Sequence, residues 1–441
     1  MNLSKGQALA ACKIAEVLHQ KGHRAYFAGG CVRDFLMGEE PKDFDIATTA
    51  SPEEVEKLFP KTLAVGKQFG VILVIEEGQP FEVATFRSEG PYQDGRHPST
   101  VSFTSPEEDA KRRDFTVNGL FYDPFDQKII DYVGGREDIP RKLIRAIGDP
   151  STRFQEDKLR LLRAIRFAAN LHFTIDPETW KAMKYLVPEI HQVSAERIRE
   201  ELIKTFTRTG AGRGLQLLSE SGLLKEILPE VEAMKGVEQP PEFHPEGDVF
   251  IHTQMLMERL ENPSPILAFA ALLHDVGKPP TFQIREGRIR FYEHARIGAD
   301  MTRQILKRLR FSNDEIEAIY ACVDNHMKFA NVKEMREGKL KRFMSTETFP
   351  TELELHRIDC QSSHGLLDNY RFLNEKILEF KKEELKPKPL LRGDDLLELG
   401  MKPGPAMKPI LEEAYELQLE NRIRTKEEAR SWALKKIKKG G

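Results

Sequence analysis

Two aspartates separated by one residue, Asp43 and Asp45, have the type and spacing that most directly indicate chemistry in this sequence. Residues i and i+2 of a β-strand point to the same face, so the two carboxylates can share divalent cations. Mg²⁺ binds a few carboxylate oxygens together with substrate phosphates. Two such ions can activate an attacking hydroxyl and stabilise a leaving pyrophosphate. The pair therefore predicts metal-dependent transfer at a phosphate.

A glycine turn precedes the aspartate pair by roughly ten residues. Gly29 and Gly30 end a short apolar run and begin a helical pattern, so their backbone N–H groups can bind a triphosphate. Arg33 adds a positive charge. Glu82, in a strand-like segment, either supplies a third carboxylate or is a partly exposed strand residue. A glycine turn and a DxD pair are each common alone, and their combination is far more specific.

The segment GGCVRDFLMG, followed by KDFDIATTA, resembles motif A of the class II CCA-adding enzymes and bacterial poly(A) polymerases. In that family the two aspartates bind the catalytic metals, which the resemblance transfers to Asp43 and Asp45. The segment KRRDFTVN resembles the family's motif B. It implies that Arg113 binds the triphosphate, as arginine binds phosphate in bidentate fashion, and that Asp114 or Asn118 binds the ribose hydroxyls. The alternative for this segment is a surface salt-bridge cluster.

The segment between these motifs, YQDGRHP at residues 92–98, resembles the family's flexible loop, which helps to switch the active site toward adding A. The family usually has a second arginine in this loop, and His97 stands in its place, so a permanent charge is lost at neutral pH. The loop argues against an enzyme confined to adding C.

Three residues in the segment EDKLRLLRAIR are spaced three apart: Asp157, Arg160 and Arg163. On a helix they form one slowly drifting stripe. The Watson–Crick edges of C and A both place an amino donor beside a ring-nitrogen acceptor. A carboxylate can accept from the amino group while a guanidinium donates to the ring nitrogen. U and G present the reverse pattern and would leave buried polar groups unpaired. An Asp–Arg pair therefore suits C and A.

This segment resembles the family's EDxxR motif, whose Asp and Arg act as the protein template for the incoming base. The resemblance implies that Asp157 and Arg160 select the base and that Arg163 and Arg166 lie close to the nucleotide. The local alternative is an ordinary i, i+3 salt bridge on an amphipathic helix.

The second half of the chain carries an HD dipeptide within a histidine-rich series that resembles the HD phosphohydrolase superfamily. Imidazoles and carboxylates are good ligands for Mn, Fe, Ni or Zn. The resemblance implies that four of these residues hold one metal and that two histidines extend the site to a second, with a bridging water that attacks phosphoesters. The alternative is a helical scaffold that only holds tRNA. The candidate ligands are His252, His274, Asp275, His294, His326 and Asp359.

The hydrophobic periodicity changes along the chain and predicts an α+β protein. Up to about residue 150, short strands alternate with helices, and the resemblance implies a polymerase β-like nucleotidyltransferase sheet. Beyond that point helical patterns dominate, which predicts an all-α body and an all-α HD domain. The predicted domains are a catalytic head (1–150), a helical neck and body for base recognition and RNA binding (151–240), the HD domain (241–385) and a helical tail (386–441) that either contacts tRNA or is a solvated helix.

Composition limits the possible classes of protein. The 441 residues are 40% hydrophobic and 31% charged, and no apolar run reaches the length of a membrane span. The net charge is −3, so any RNA-binding charge must be local. The four cysteines form no CxxC pattern, and the N-terminus lacks the apolar centre of a secretory signal, which favours a reducing cytoplasm.

These patterns predict a tRNA nucleotidyltransferase that uses Mg²⁺, CTP and ATP to add or repair the CCA at the tRNA 3′ end. Two alternatives stay open within this class: an enzyme restricted to the terminal A, and a poly(A) polymerase, of which the HD domain is not typical. A third alternative is an HD phosphohydrolase whose N-terminal half binds RNA. The sequence does not indicate an oligomeric state.

Overall fold

The computed structural model describes residues 3, 5–90, 101–240, 242, 244–245, 247–380 and 387–440. It divides the chain into two units, residues 1–232 and 233–441. The four-domain division predicted above is finer than this and remains a prediction. Residues 92–98, which resemble the flexible loop, lie outside the described residues.

A mixed β-sheet forms the centre of the first unit. The strands of this unit are β1 (Ala25–Ala28), β2 (Asp45–Thr48), β3 (Thr62–Gly66), β4 (Val71–Glu76), β5 (Gln79–Thr85), β6 (Arg87–Glu89), β7 (Val101–Phe103), β8 (Phe121–Asp123), β9 (Lys128–Ile130), β10 (Leu143–Ile144) and β11 (Thr174–Ile175). Seven of them form one sheet in the order β3-β4-β5-β2-β1-β8-β9. Strand β2 runs parallel to β5 and antiparallel to β1. The parallel pair brings the starts of β2 and β5 together.

Helices surround this sheet and continue beyond it. The α-helices of the first unit are Gly6–Gln20, Gly30–Leu36, Pro52–Leu58, Pro106–Lys111, Gly135–Asp138, Pro150–Glu156, Leu159–Asn170, Pro177–Leu186, Ala195–Phe206, Ala211–Ser221, Leu223–Ile227 and Pro229–Glu232, with 3-10 turns at Lys67–Phe69, Thr116–Asn118 and Val187–Gln192. After residue 151 the described strands of this unit reduce to the two-residue β11. The predicted change from mixed α and β to helix is therefore confirmed.

Burial fixes which way the strand residues of the sheet face. Phe44 and Ile46 are both buried, at 5% and 0% exposure, so the residues that alternate with them point to the open side. Ser51 begins the next helix with a capping box, because its side chain accepts from the Glu54 N–H and the Glu54 carboxylate accepts from the Ser51 N–H. Proline at the first helical position, directly after Ser51, favours the same helix start.

The second unit is helical with one added hairpin. Its α-helices are Val249–Glu258, Pro265–Leu273, Lys278–Thr281, His294–Arg308, Asn313–Asn325, Glu337–Met344, Phe349–Ser362, Asp368–Glu379, Gly393–Glu398, Met407–Leu419 and Lys426–Gly440, with a 3-10 segment at His326–Glu334. The strands β12 (Phe282–Arg285) and β13 (Arg288–Phe291) form a hairpin that the helical prediction did not include. The C-terminal helices pack a separate hydrophobic cluster that contains Leu396 and Ala433. In the described part of the chain, no helix combines the length and apolarity needed to cross a membrane.

Candidate active site

An open cleft in the first unit brings together most of the residues predicted to bind the nucleotide. Its volume is about 660 Å³. Asp43 and Arg166 were also predicted for this site, but they do not line the cleft. The predicted residues that line it are Gly29, Gly30, Arg33, Asp45, Arg113, Asp114, Asn118, Asp157, Arg160 and Arg163.

The carboxylates of the cleft lie at the start of the parallel strand pair. Ile46 of β2 stands opposite Val83 of β5, so Asp45 and Glu82, one residue earlier on each strand, are neighbours. Desolvation in the cleft and the Glu82 carboxylate raise the pKa of Asp45 to about 6, against the effect of Arg113. A divalent cation bound here would relieve the repulsion that raises the pKa of Asp45.

Asp43 lies just outside the strand that begins at Asp45. The sequence placed Asp43 and Asp45 together on a strand, whereas β2 begins at Asp45 and Asp43 lies in the irregular segment before it. Asp43 is exposed, and its charge adds to the rise in the pKa of Asp45. The side chains still alternate across the buried Phe44, so the segment retains the extended alternation on which the prediction depended.

The glycine turn gives room to an arginine. Gly29 has φ +71°, and a Cβ on it would lie 3.2 Å from Nη1 of Arg113. Its N–H donates to the Leu120 carbonyl at 3.0 Å, so this amide serves the fold and not a phosphate. Gly30 then begins the helix Gly30–Leu36. The turn therefore positions the Arg113 guanidinium as well as the chain that enters the helix.

A chain of hydrogen bonds joins four predicted residues from distant parts of the sequence. Arg33 donates through Nη1 to Oδ1 of Asn118 at 2.7 Å, and Asn118 donates through Nδ2 to Oδ1 of Asp114 at 3.2 Å. Arg163 donates twice to Oδ2 of Asp114, at 2.8 and 2.6 Å. Burial opposes ionisation of Asp114, but the Arg163 guanidinium and these hydrogen bonds lower its pKa to about 2. The carboxylate is therefore ionised and held in one orientation.

The motif B arginines are salt-bridged and also face the cleft. Arg112 and Arg113 form salt bridges with Asp109 at 2.7 and 3.1 Å. Asp109 is buried, with 1% of its surface exposed. Arg113 also donates to the Asn118 carbonyl at 3.3 Å. The salt-bridge alternative and the nucleotide-binding prediction are therefore compatible. Both guanidiniums line the cleft, whereas Asp109, which binds them, does not.

Asp157 lies at a break between two helices. The sequence analysis placed Asp157 on the same helix as Arg160 and Arg163, whereas one helix ends at Glu156 and the next runs from Leu159 to Asn170. Asp157 has extended backbone angles, φ −146° and ψ 105°, and its Oδ1 accepts from the Leu159 N–H at 3.0 Å. The break occurs because this side chain satisfies an N–H that the first turn of the new helix leaves without a partner.

Asp157 and Arg160 are held by different partners and form no salt bridge with each other. Arg197 donates to both oxygens of Asp157, at 3.2 and 2.8 Å. Arg160 donates through Nη1 to Glu156 at 2.6 Å and to the Arg153 carbonyl at 2.8 Å, and through Nη2 to the Arg112 carbonyl at 3.3 Å. The ordinary i, i+3 salt bridge is therefore absent from this described segment, and two of the five Arg160 N–H donors are left for another acceptor.

Arg166 takes part in the structure behind the cleft. It donates to Glu201 at 2.6 Å, and its guanidinium lies 4.1 Å from the centre of the Phe167 ring. Arg33 and Arg163 lie at 5.5 and 5.3 Å from the same ring. Phe167 thus gathers three guanidiniums by cation–π contact, and Arg166 supports the site without lining it.

The sequence analysis missed Arg197, Phe167 and Glu201. Arg197 pairs with a residue 40 positions away, and Glu201 contacts Arg166 across 35 positions. These contacts come from the packing of helix Ala195–Phe206 on helix Leu159–Asn170. The sequence did offer one signal for the helix break, since Asp is a preferred N-terminal capping residue.

A second candidate site lies in the second unit, where the predicted HD residues meet. His252, His274 and Asp275 form one group, and Asp275, His294 and His326 form another; within each, the ligand atoms lie within 4.8 Å of one another. Asp275 belongs to both groups. Asp359 joins them through His252, at 3.0 Å from its Nε2. The prediction that these residues come together is therefore matched by their geometry.

The hydrogen bonds of the histidines fix the tautomer that a metal requires. Nδ1 of His274, His294 and His326 each lies within 2.9 Å of a backbone carbonyl, at 2.9, 2.8 and 2.6 Å. A carbonyl can only accept, so each Nδ1 carries the proton and each Nε2 presents a lone pair. Nε2 of His294 and Nε2 of His326 are 3.2 Å apart. Two lone pairs at that distance repel each other unless a cation lies between them, so the donor set fits a metal.

Electrostatics favour the protonation states of ligands at this cluster. Burial, His294 and His274 lower the pKa of His326 to about 3. Burial raises the pKa of Asp275, but the neighbouring His274 and Lys278 outweigh it and hold that pKa well below its usual range. The cluster therefore presents a neutral His326 imidazole and an ionised Asp275 carboxylate, which are the forms that bind Mn, Fe, Ni or Zn.

Comparison with known proteins assigns the class of this chain first. Residues 25–145 match the family described as the Poly A polymerase head domain, and residues 172–235 match the probable RNA and SrmB-binding site of polymerase A. Residues 248–356 match the HD domain. The carboxylates of the cleft thus lie in the part that matches the polymerase head, and the histidines of the cluster lie in the part that matches the HD domain.

One relative then identifies the family. A CCA-adding enzyme of Bacillus cytotoxicus is 33% identical over 430 residues, which cover 95% of this chain and 96% of the relative. The chain belongs to the CCA-adding enzyme family.

Other relatives match a shorter part. A CCA-adding enzyme of Bacillus licheniformis is 46% identical over 228 residues, so the aligned part covers 52% of this chain and 57% of that relative. Among solved structures, the Bacillus stearothermophilus CCA-adding enzyme in complex with CTP has a TM-score of 0.77 at 27% identity and covers 99% of this chain and 98% of its own. The Thermotoga maritima enzyme complexed with tRNA has a TM-score of 0.57 at 18% identity, with coverage of 99% and 97%, which shows the fold alone.

Proposed function

We propose that this chain is a template-independent tRNA nucleotidyltransferase that adds or repairs the 3′-terminal CCA with CTP and ATP. The observation that carries the proposal is that Asp157 and Arg160 line the same cleft as the Asp45 and Glu82 carboxylates. A base-selecting pair is thus within one cleft of a metal-type carboxylate pair. The B. stearothermophilus relative, described in complex with CTP, supports the same nucleotide class.

The 3′-hydroxyl of the RNA attacks the α-phosphate, forming the new 3′-O–P bond as the bond to pyrophosphate breaks. Mg²⁺ ions held by Asp43 and Asp45 would activate that hydroxyl and stabilise the leaving group. Arg113 and Arg33 neutralise phosphate charge, and the guanidiniums are held by Asp109 and Asn118 before substrate arrives. Such preorganisation lowers the barrier because the groups need not reorient during the reaction.

The base is selected by two groups with fixed orientations. Oδ1 of Asp157 accepts from both Arg197 and the Leu159 N–H, whereas Oδ2 accepts from Arg197 alone and keeps a lone pair for the amino group of C or A. Arg160 keeps two N–H donors for the ring nitrogen. Asp114 and Asn118, held by Arg163 and Arg33, are positioned to bind ribose hydroxyls. We assign Arg166 a supporting role through Phe167.

A direct test uses tRNAs that end before the first C, after the first C and after the second C, each with CTP or ATP alone and with both. The proposal expects two C additions and then one A addition. If CTP is incorporated into none of these tRNAs, CCA addition is contradicted. An enzyme restricted to the terminal A then remains. Continued addition of A to any RNA indicates a poly(A) polymerase.

The histidine cluster favours a second function for the second unit, which is phosphoester hydrolysis. Its residues fit a metal, because three Nε2 lone pairs converge on Asp275. A metal held by His252, His274, Asp275 and Asp359, extended by His294 and His326, would supply an activated water for attack on phosphorus. We propose phosphomonoesters or 2′,3′-cyclic phosphates as substrates. With Mn²⁺ or Ni²⁺ added, the wild type should hydrolyse one of these classes and Asp275→Ala should not.

The cellular setting follows from the same proposal. The four cysteines are free thiols, and Cys31, Cys322 and Cys360 are buried. A chain with no disulfide among its described residues fits a reducing compartment, which supports a cytoplasmic location for a tRNA-processing enzyme.

A further inference from the structure

The hairpin β12–β13 has a register that places its charged residues on one face. Arg285 pairs with Arg288, and Gln283 pairs with Arg290 across the two strands. Cross-strand partners share a face, and so do residues two apart on one strand. The two-residue turn has φ +52° at Glu286 and +72° at Gly287, as a tight hairpin requires. Three arginines and one glutamine are therefore presented together on a defined surface.

These three arginines have no carboxylate partner in the described part of the chain. No oxygen of Asp or Glu lies within 4.0 Å of Arg285, Arg288 or Arg290, whereas Arg296, just beyond the hairpin, pairs with Glu293 at 3.1 Å. All three are exposed. Like charges directly opposite each other on a hairpin destabilise it. The repulsion between Arg285 and Arg288 is relieved when an anion binds between them.

One aromatic side chain, Tyr292, is exposed beside the arginines, and two apolar side chains, Phe282 and Ile284, are exposed on the other face of the hairpin. Ile284 is 66% exposed, Tyr292 53% and Phe282 39%. The Arg285 guanidinium lies 5.2 Å from the centre of the Tyr292 ring. Proteins that bind single-stranded nucleic acid combine a row of cations for the backbone with exposed aromatic rings on which bases stack. The three arginines and the Tyr292 ring supply both parts within the segment from Arg285 to Tyr292.

The base of the hairpin contacts the histidine cluster directly. The Phe291 carbonyl accepts from Nδ1 of His294 at 2.8 Å, and Lys278, which pairs with Asp275 at 2.7 Å, lies 5.5 Å from the Phe291 ring. Three residues of strand, at about 3.4 Å each, separate Phe291 from Arg288, so the most distant arginine on β13 is roughly 10 Å along the strand from this contact. An RNA strand bound to the hairpin would lie within a few nucleotides of the cluster.

We propose that the hairpin Phe282–Phe291 binds the phosphate backbone of single-stranded RNA and leads its 3′ end to the histidine cluster. The substrate of that cluster would then be an RNA end that carries a phosphate, and not a free nucleotide. This assignment of the substrate rests on the phosphohydrolase function proposed above. In the reaction, the oxygen of water bonds to phosphorus and the bond to the ribose 3′-oxygen breaks, giving inorganic phosphate and a 3′-hydroxyl. That hydroxyl is the group that nucleotidyl transfer needs.

The binding test maps where RNA contacts the full-length chain, because the first unit is also proposed to bind RNA. The probe is a 12-nucleotide RNA with 4-thiouridine near a 3′-phosphate, cross-linked by light in EDTA so that no hydrolysis occurs. Three forms are compared: the wild type, the hairpin variant R285Q/R288Q/R290Q, and the charge-matched control K333Q/R336Q/K339Q, whose substitutions lie at exposed positions of the same unit. The proposal expects cross-links within 282–292 in the wild type and control, reduced at least tenfold in the hairpin variant. Cross-links absent from 282–292, or equally strong in the hairpin variant, overturn it.

The hydrolysis test separates the hairpin from the cluster. With Mn²⁺ added, the hairpin variant should show a KM for the 3′-phosphorylated 12-mer raised about tenfold, with an unchanged rate on p-nitrophenyl phosphate, which is too small to need the hairpin. Equal losses on both substrates contradict a role in binding RNA. If no form hydrolyses either substrate, the phosphohydrolase proposal fails, and the cross-linking result still decides whether the hairpin binds RNA.

Discussion

Asp157 and Arg160 reach the cleft through different neighbours, and these neighbours determine how each can act on a base. Arg197 donates hydrogen bonds to both oxygens of Asp157, and Arg160 donates to Glu156 and to two backbone carbonyls. Neither group can swing freely, so a base with the wrong donor pattern meets fixed and unsatisfied partners. We therefore expect selection of C and A to depend on the residues that hold Asp157 and Arg160, and Arg197 offers the most direct test.

Replacing Arg197 with Gln should weaken base discrimination. Loss of the bidentate contact frees the Asp157 carboxylate, and a hydrogen bond to a charged group contributes about 1.5–3 kcal/mol, equivalent to roughly 10- to 100-fold. We expect the preference for CTP over UTP, measured as the ratio of kcat/KM, to fall within that range, with a smaller change in the rate of CTP addition. Arg199→Gln on the same helix, which does not line the cleft, is the control. An unchanged preference for CTP in Arg197→Gln would contradict the role.

Asp114 should contribute stability that disappears in acid. Its pKa in the folded chain is lowered from 3.8 to about 2, so its contribution is fully present above pH 4 and is lost as the pH falls toward 2. The free energy of unfolding of the wild type should exceed that of Asp114→Asn by a margin that shrinks by about 2 kcal/mol over this range. Urea unfolding in a Trp432→Phe background measures it, because Trp180, in helix Pro177–Leu186 of the first unit, is then the sole tryptophan. A margin that stays constant or grows in acid would show that Arg163 does not stabilise the carboxylate.

At the scale of elements, short connections deliver the functional groups. The glycine turn before helix Gly30–Leu36 makes room for Arg113, the parallel pairing of β2 with β5 sets Asp45 beside Glu82, and the break after Glu156 turns Asp157 into the cleft. In each case the backbone geometry of a short connection positions a side chain in the cleft.

Substituting Gly29 with Ala should reduce activity beyond its effect on stability. Gly29 has φ +71° and ψ −122°, a combination that residues with a Cβ rarely adopt, so alanine is strained there. In addition, the new Cβ would lie 3.2 Å from Nη1 of Arg113 and displace it from the triphosphate. Gly38→Ala is the matched control, because its φ is +81° but no atom lies within 4 Å of its Cβ. Both variants should lose unfolding free energy because both need positive φ, and Gly29→Ala alone should lose about tenfold or more in kcat. Equal kcat values in the two variants would mean that the close approach is unimportant.

The sequence predicted those parts of the site that are local in the chain. The glycine turn, Asp43 with Asp45 and the motif B arginines each lie within a short segment whose residue types carry the chemistry. The break at Asp157 was missed because the apolar periodicity of the flanking residues continues through it. Arg197 was missed because its contact with Asp157 exists only after two helices pack. The hairpin at Phe282–Phe291 was missed because its Glu-Gly turn is a weaker signal than Asn-Gly.

At the scale of the whole molecule, the chain carries two sites in two units. The cleft lies within residues 1–232 and the histidine cluster within residues 233–441. Their ligands also differ in kind: carboxylates of the cleft suit Mg²⁺, and imidazoles of the cluster suit softer transition metals. The two activities should therefore be separable both by mutation and by choice of metal.

Removing Asp275 should abolish transition-metal binding without affecting nucleotidyl transfer. Asp275 belongs to both three-residue groups, so Asp275→Ala leaves neither complete. We expect the bound Mn²⁺ or Ni²⁺ measured after dialysis to fall at least tenfold, while CTP incorporation with Mg²⁺ is unchanged. Metal at 100 times its dissociation constant should also stabilise the wild type by about 2.7 kcal/mol, and this increment should vanish in the variant. Asp314→Ala, which removes an exposed carboxylate of the same unit, should keep the metal.

Asp45→Ala should show the reverse pattern, with metal retained by the cluster and transfer lost. Transfer that survives Asp45→Ala would overturn the assignment of the cleft, and metal that survives Asp275→Ala would place the ion elsewhere.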